Sequence, residues 1–192
     1  MCNLYSMTSN AEAIRRLFAV TEGGFANLPP QPEIYPGQSA PVVRAEGAGR
    51  RLETMLWGFP PPPAAGSRPV TNVRNLSSPF WRTALSRPDR RCLVLADAFA
   101  EWEGETGRKR KRWFVVDGGQ PFAFAGLWRP TSEGPHMAFL TCEPNALVAP
   151  IHPKAMPVIL DPADHDTWLG ASMAEAVALA RPFPAGRMAL RE

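Results

Sequence analysis

The sequence is poor in the residues that staple, chelate or span. Cysteine occurs three times in 192 residues, at positions 2, 92 and 142. That odd, scattered set makes neither a disulfide framework nor a Cys-x-x-Cys knuckle, so a reducing, cytoplasmic setting is expected. Histidine also occurs only three times, at 136, 152 and 165, and no His-x-x-x-His pair is present. No metal is therefore expected. The absence of a GxGxxG-type phosphate loop favours chemistry without a cofactor. No apolar run approaches the roughly 18 residues of a membrane span, and the first residues lack the basic-then-apolar order of a secretion signal. No membrane partner is expected.

Proline and glycine are what the chain has in excess, at 22 and 15 residues. Both interrupt regular elements, which argues against a helical bundle and against long βαβ repeats. The apolar fraction of 45% and charged fraction of 20% are those of a globular chain. Its length suffices for a core without staples, and one domain over residues 1–192, acting as a monomer, is expected. The net charge of +3 conceals an asymmetry. Residues 68–112 hold eleven basic and five acidic side chains, so that segment is +6 and the remainder −3. Arginine dominates it, and arginine suits backbone phosphate.

Local signals give a coarse map. Ser9 and Glu12 form a capping-box pattern for a helix over about 10–20, ending near Gly23-Gly24. Residues 27–41 read as a proline-rich surface loop. Val42-Val43 and 51–57 read as a hairpin across 47–49. Residues 58–69, with four consecutive prolines, read as an exposed loop. Ser78-Pro79 opens a short helix to about Leu85. Residues 92–96 are a buried strand, and 103–111 a hairpin tip. Residues 113–116 and 122–127 flank Gly118-Gly119 as a predicted β-hairpin. A strand at 137–141 follows, then helices beginning at Asp161-Pro162 and at Ser172. The last residues are expected to fray, unless Phe183 and Leu190 dock. The class is α+β: a β-rich domain with a mainly antiparallel, partly closed, barrel-like sheet and short flanking helices.

Cys2 is the most informative residue. Removal of Met1 would give one carbon skeleton two nucleophiles, an α-amine with a reference pKa of roughly 7.7–8.0 and a thiol near roughly 8.5. The amine can condense with an aldehyde, and the sulfur can then close a thiazolidine; an internal cysteine, whose nitrogen is an amide, cannot do this. The Leu4-Tyr5 pair suggests that the terminus is tied down as a strand. His152, enclosed by prolines, can move protons near neutral pH. Glu101 lies between Phe99 and Trp102 at the end of an apolar strand, where burial would raise its pKa. Asn72 can hold a reacting group without titrating. Arg74 can grip a phosphate, and Arg82 is a less specific candidate. Trp57, like Trp81, Trp102 and Trp128, can stack on a base or pack in the core. His136 and His165 read as structural, and Cys92 and Cys142 as buried thiols. Two alternatives stay open: a thiol peptidase or hydrolase built on Cys2 and His152, and a non-covalent single-stranded DNA-binding domain.

Taken in order, Met1-Cys2, Trp57-Gly58-Phe59, Thr71-Asn72-Val73-Arg74, Phe99-Ala100-Glu101-Trp102, Phe124-Ala125-Gly126-Leu127-Trp128, Phe139-Leu140-Thr141 and His152-Pro153-Lys154-Ala155-Met156-Pro157 resemble the SRAP family, the SOS response-associated, abasic-site-processing proteins. The resemblance runs from Met1 to about Trp168. Departures fall at Asn3-Leu4, where the family pattern is Gly-Arg, at Leu76, where it has glutamate, and at Ala98 and Ala100. The resemblance implies a partner, single-stranded DNA containing abasic sites, and a covalent thiazolidine link through Cys2, with self-processing peptidase and lyase activities described in the family. It implies that Asn72 positions the Cys2 amine, Glu101 and His152 move protons, Arg74 contacts phosphate, and Thr141 is a small polar residue near the site.

Overall fold

In the computed structural model, residues 2–23, 28–62, 66–105 and 107–191 are described. The expected helix end at Gly24, Met1 and the middle of the proline-rich loop (63–65) lie outside the described residues. The elements in order are β1 (Tyr5–Met7), α1 (Ala11–Leu17), β2 (Gln31–Ile34), β3 (Ser39–Glu46), β4 (Gly49–Trp57), β5 (Asn72–Val73), α2 (Pro79–Leu85), β6 (Arg91–Ala96), β7 (Ala98–Glu103), β8 (Arg110–Val116), β9 (Phe122–Thr131) and β10 (Gly134–Cys142). After these come β11 (Met156–Pro157), β12 (Ile159–Leu160), α3 (His165–Gly170), α4 (Met173–Ala178) and β13 (Met188–Arg191).

Five strands close on themselves. β3 pairs with β4 and β6, β6 with β9, β9 with β10, and β10 returns to β4 as the one parallel step of the ring. A second sheet has the order β13-β8-β7-β1-β2. Its pairings are antiparallel. The β-rich α+β reading is correct. All six residues of β6 are buried, as expected of a strand with neighbours on both edges. Gly126 sits opposite Cys92, and a Cβ there would come 2.7 Å from Cys92 Sγ and Val94 Cγ2. Glycine allows β6 and β9 to approach at that step.

Asp97 is the point where the chain leaves the barrel for the second sheet. Its backbone N–H donates to Ser6 O at 2.7 Å. Its carboxylate accepts from Thr8 Oγ1 at 2.8 Å, and from Ser9 N and Oγ at 3.1 and 2.8 Å. Ser9 is therefore engaged elsewhere, and Asn10 caps α1 by accepting from Ala13 N. This corrects the capping-box reading, and α1 is shorter than 10–20.

The expected hairpin between 113–116 and 122–127 does not form. The turn itself is tight, with Asp117, Gly118 and Gly119 all at positive φ. Both edges of β8 are already taken, by β7 and β13, while β9 lies in the barrel beside β6 and β10. The same pairing orders the C-terminus, where β13 continues β8 from Met188↔Val116 to Arg191↔Trp113. The docking alternative holds rather than the fraying: Leu190 pairs with Phe114 in β13, and Phe183 is buried. The stretch read as a surface loop at 27–41 also contains β2, paired to β1.

The helices are tied to the barrel by a buried cation. Arg91 is fully buried and donates to Leu85 O at the end of α2 (2.7 and 3.1 Å) and to Trp168 O and Ala171 O at the end of α3 (3.1 and 2.7 Å). The C-terminal carbonyls of a helix carry partial negative charge and lack intrahelical donors. One guanidinium satisfies two such ends. Arg91→Leu leaves these carbonyls unpaired, and a loss of about 3 kcal/mol is expected. Urea unfolding at pH 7 checks it; a shift below about 1 kcal/mol would contradict the assigned role.

Candidate active site at the start of the chain

β1 is an interior strand, not a fringe. Tyr5 pairs with Phe99 on β7 and with Ile34 on β2, and Ala100 N donates to Leu4 O at 2.9 Å. The Tyr5 ring inserts against Trp57, Phe124 and Phe139, with centroids 5.0, 5.6 and 6.0 Å away. This packing fixes the position of Cys2, which is itself buried. Its thiol donates to Leu4 O at 3.6 Å, and its carbonyl accepts from Asn72 Nδ2 at 3.0 Å.

Asn72 is held by β5, which runs parallel to β10 with Asn72 opposite Phe139. Side chains alternate along a strand, so Thr141, two residues beyond Phe139, shares its face with Asn72. His152 lies in the connection that leaves β10 and returns as β11, where Thr141 pairs with Pro157. Its Nδ1 is 2.7 Å from Ala155 O and 3.2 Å from Ala155 N. Burial pulls the His152 pKa below the ordinary value, favouring neutral imidazole.

Glu101, on β7, is almost fully buried. Burial raises its pKa from about 4.5 to about 7. Burial is also the first cause that pushes the Cys2 thiol well above its usual value, and the nearby Glu101 charge adds to it. The thiol therefore rests as S–H at neutral pH. Asn72 Oδ1, Glu101 Oε1 and Thr141 Oγ1 are all buried without hydrogen-bond partners among the described residues. An unpaired buried polar atom costs about 1–3 kcal/mol, and native proteins seldom tolerate several together. These three oxygens are left with hydrogen-bonding capacity for a polar ligand or a water. Two further groups went unread in the sequence. The Tyr5 hydroxyl is buried and unpartnered, and its pKa is raised well above normal by burial first and by the neighbouring Cys2 next. Glu143, the other, pairs with Arg74. Tyr5 was legible only as an anchor.

Cys2, Asn72 and Glu101 are thus drawn together, with Thr141 and the His152 loop at the same end of β10. The proposed DNA contacts fare unevenly. Trp57 is wholly buried, stacked on Phe139 at 5.1 Å, with its Nε1 donating to Thr71 O at 3.0 Å. It is a core residue and cannot stack on a base, which corrects that assignment. Arg82 is exposed on α2, and Arg74 is exposed but ion-paired to Glu143. Much of the basic segment is likewise paired, through Arg87–Asp89, Lys111–Glu33 and Arg112–Glu103. Arg68, Arg82, Arg108, Lys109 and Arg110 are exposed and join none of the ion pairs among the described residues. His136 is buried with Nδ1 2.7 Å from Gly58 O. Cys92 and Cys142 are buried thiols. Among the described residues no cluster of three or more metal-ligating side chains is found, and no helix is long and apolar enough to cross a membrane.

The architecture is a five-stranded barrel joined to a second sheet, with a buried polar cluster around Cys2. The profile of the SOS response associated peptidase (SRAP) family matches residues 1–192, and the chain belongs to that family. Its name carries a peptidase-like activity. No curated protein matches the sequence. Solved structures share the fold. One from Bordetella bronchiseptica is 24% identical over 98% of both chains, with a TM-score of 0.82. A protein from Bacteroides thetaiotaomicron is 21% identical over 98% of this chain and 90% of its own, at 0.84. A phage-related protein from Bordetella bronchiseptica is 22% identical over 99% and 93%, at 0.78.

The raised Glu101 pKa has a consequence for stability. Between about pH 4.5 and 7 the folded protein keeps a proton that the unfolded chain has released, so stability falls as pH rises through that window. Glu101→Gln removes this dependence. The variant should be more stable than wild type at pH 8, by up to about 3 kcal/mol, with the difference closing toward pH 4. Urea titrations across this range measure it; an equal pH slope in both proteins would contradict the assignment.

Proposed function

We propose that this protein captures the aldehyde of an abasic site in single-stranded DNA through Cys2, after Met1 is removed, and holds it as a thiazolidine crosslink. The observation that carries this reading is the trio of unpartnered buried oxygens, on Asn72, Glu101 and Thr141, beside a second-position cysteine. Ring-opened deoxyribose brings an electrophilic carbon for the amine and hydroxyl groups for those oxygens. The exposed arginines supply charge for the phosphates on either side.

The steps balance as follows. The Cys2 amine adds to the aldehyde carbon, and loss of one water gives the imine. The thiol then adds across the C=N bond: sulfur bonds to carbon, and its proton ends on nitrogen. The thiol begins protonated, so a base must relay that proton. Glu101, titrating near neutrality, is matched to accept and return it. Neutral His152 can serve the leaving oxygen. Asn72 grips the Cys2 carbonyl and so orients the terminus. Hydrolysis of the Met1–Cys2 bond by the same groups would account for a peptidase step that acts once, on the chain itself. A general thiol hydrolase fits less well, because such enzymes lower the thiol pKa and here it is raised.

Arg74 must exchange Glu143 for phosphate in this reading. Glu143→Gln should therefore tighten binding to single-stranded DNA by roughly twofold to fivefold at low salt, measured by fluorescence anisotropy; weaker binding by the variant would contradict the exchange. The main test is a denaturing gel with an abasic oligonucleotide. Wild type should give a heat-stable adduct and Cys2→Ser none, since oxygen closes the ring poorly. A Cys2→Ser adduct as durable as wild type, or no wild-type adduct, would overturn the proposal.

A further inference from the structure

The connection from β10 to β11 carries His152 and contains neither strand nor helix. Its shape has to come from hydrogen bonds between loop residues, and these converge on one side chain. Asn145 Oδ1 accepts from Leu147 N at 3.1 Å and from Val148 N at 3.0 Å. The Asn145 carbonyl accepts from Ala149 N at 2.9 Å. Val148 O accepts in turn from Ile151 N at 3.0 Å and from His152 N at 2.8 Å. The two turns overlap at Val148, whose side chain is wholly buried. The backbone of His152 is therefore bonded to a residue that Asn145 itself holds.

The other end of the same amide leaves the loop. Asn145 Nδ2 donates to Phe183 O at 2.7 Å, 38 residues further along the chain, and to Met188 Sδ at 3.1 Å. Phe183 and Met188 are buried, and Met188 opens β13. The Asn145 N–H donates to Met156 Sδ at 3.3 Å, where the chain returns as β11. A carboxamide offers two lone pairs on oxygen and two N–H donors, and each of them is engaged here. Asparagine commonly folds back on its own backbone at a turn. The tie to the C-terminal segment goes beyond that habit and needs the donor end, which aspartate lacks.

We propose that Asn145 is a positioning residue for His152: its amide shapes the turn that presents the imidazole and anchors that turn to the C-terminal segment. Residues 183–188 thereby belong to the frame of the site. The part His152 plays in chemistry rests on the function proposed above; its placement by Asn145 does not.

Two substitutions separate the ends of the amide. Asn145→Asp keeps an acceptor for Leu147 and Val148 and loses the donor to Phe183 O, whereas Asn145→Ala loses both. The His152 pKa is held down by burial first, with the positive charges of the amino terminus and Lys154 adding to it. A loosened turn admits water, so His152 should titrate closer to the ordinary histidine value in both variants, and closest in Asn145→Ala. NMR of the ring protons measures this without DNA, the His152 signal being the one missing from His152→Gln. With an abasic oligonucleotide, the maximal rate of adduct formation should fall roughly tenfold, the scale of a displaced catalytic group, at an unchanged half-saturating concentration. If wild type forms no adduct, the proposed function fails and the titration alone decides the placement. An unshifted His152 titration in folded variants would overturn the proposal, as would a rate lost only through weaker DNA binding. Should both variants fail to fold, amide exchange in the wild type decides: the Leu147, Val148 and His152 N–H groups should open together, at one rate. A His152 N–H that exchanges independently of the other two would overturn the proposal.

Discussion

The site depends on one constraint, the incorporation of the chain's first residues into the middle of a sheet. β1 has β7 on one side and β2 on the other, and the Tyr5 ring fills the space against Trp57, Phe124 and Phe139. Most chain termini are frayed. This one is held by a backbone ladder, by the Asp97 carboxylate behind it and by Asn72 in front. In the proposed function, Cys2 thereby gains the fixed geometry that a catalytic group needs.

The same constraint dries the site. Burial keeps the Cys2 thiol protonated, raises the Glu101 pKa to about 7 and leaves hydroxyl, carboxyl and amide oxygens unmatched. These terms work against folding, and the aromatic interior of the barrel and its sealed helix ends offset them. Arg91 matters here because it lets α2 and α3 end inside the protein without stranding their carbonyls. Stability concentrated in the barrel thus supports a site that is individually unfavourable, a familiar distribution in proteins that hold a site ready for a ligand.

The legible parts of the fold were those set by local chemistry. The β3–β4 hairpin, the Ser78-Pro79 helix start, the buried 92–96 strand and the burial of Glu101 all followed from turn residues, caps and apolar runs. The parts that failed depended on competition between distant partners. Asp117-Gly118-Gly119 does make a tight turn, yet β8 and β9 belong to different sheets because other strands occupy their edges. Ser9 is a good cap by type, but Asp97, 88 residues away, takes it. Trp57 shows the limit for the site: its ring can serve a base or a core equally, and only the closed barrel decides. The ion pairing of Arg74 and the shared face of Asn72 and Thr141 likewise require the register of β5 on β10.

The central claim is that a buried N-terminal cysteine condenses with an aldehyde. Intact-protein mass spectrometry measures this directly, after the protein is mixed with a single-stranded oligonucleotide bearing one abasic site and then denatured. The account predicts a species equal to the chain without Met1, plus the oligonucleotide, minus one water. A protein that has lost Met1 yet remains at its own mass, with the oligonucleotide intact beside it, would contradict the account.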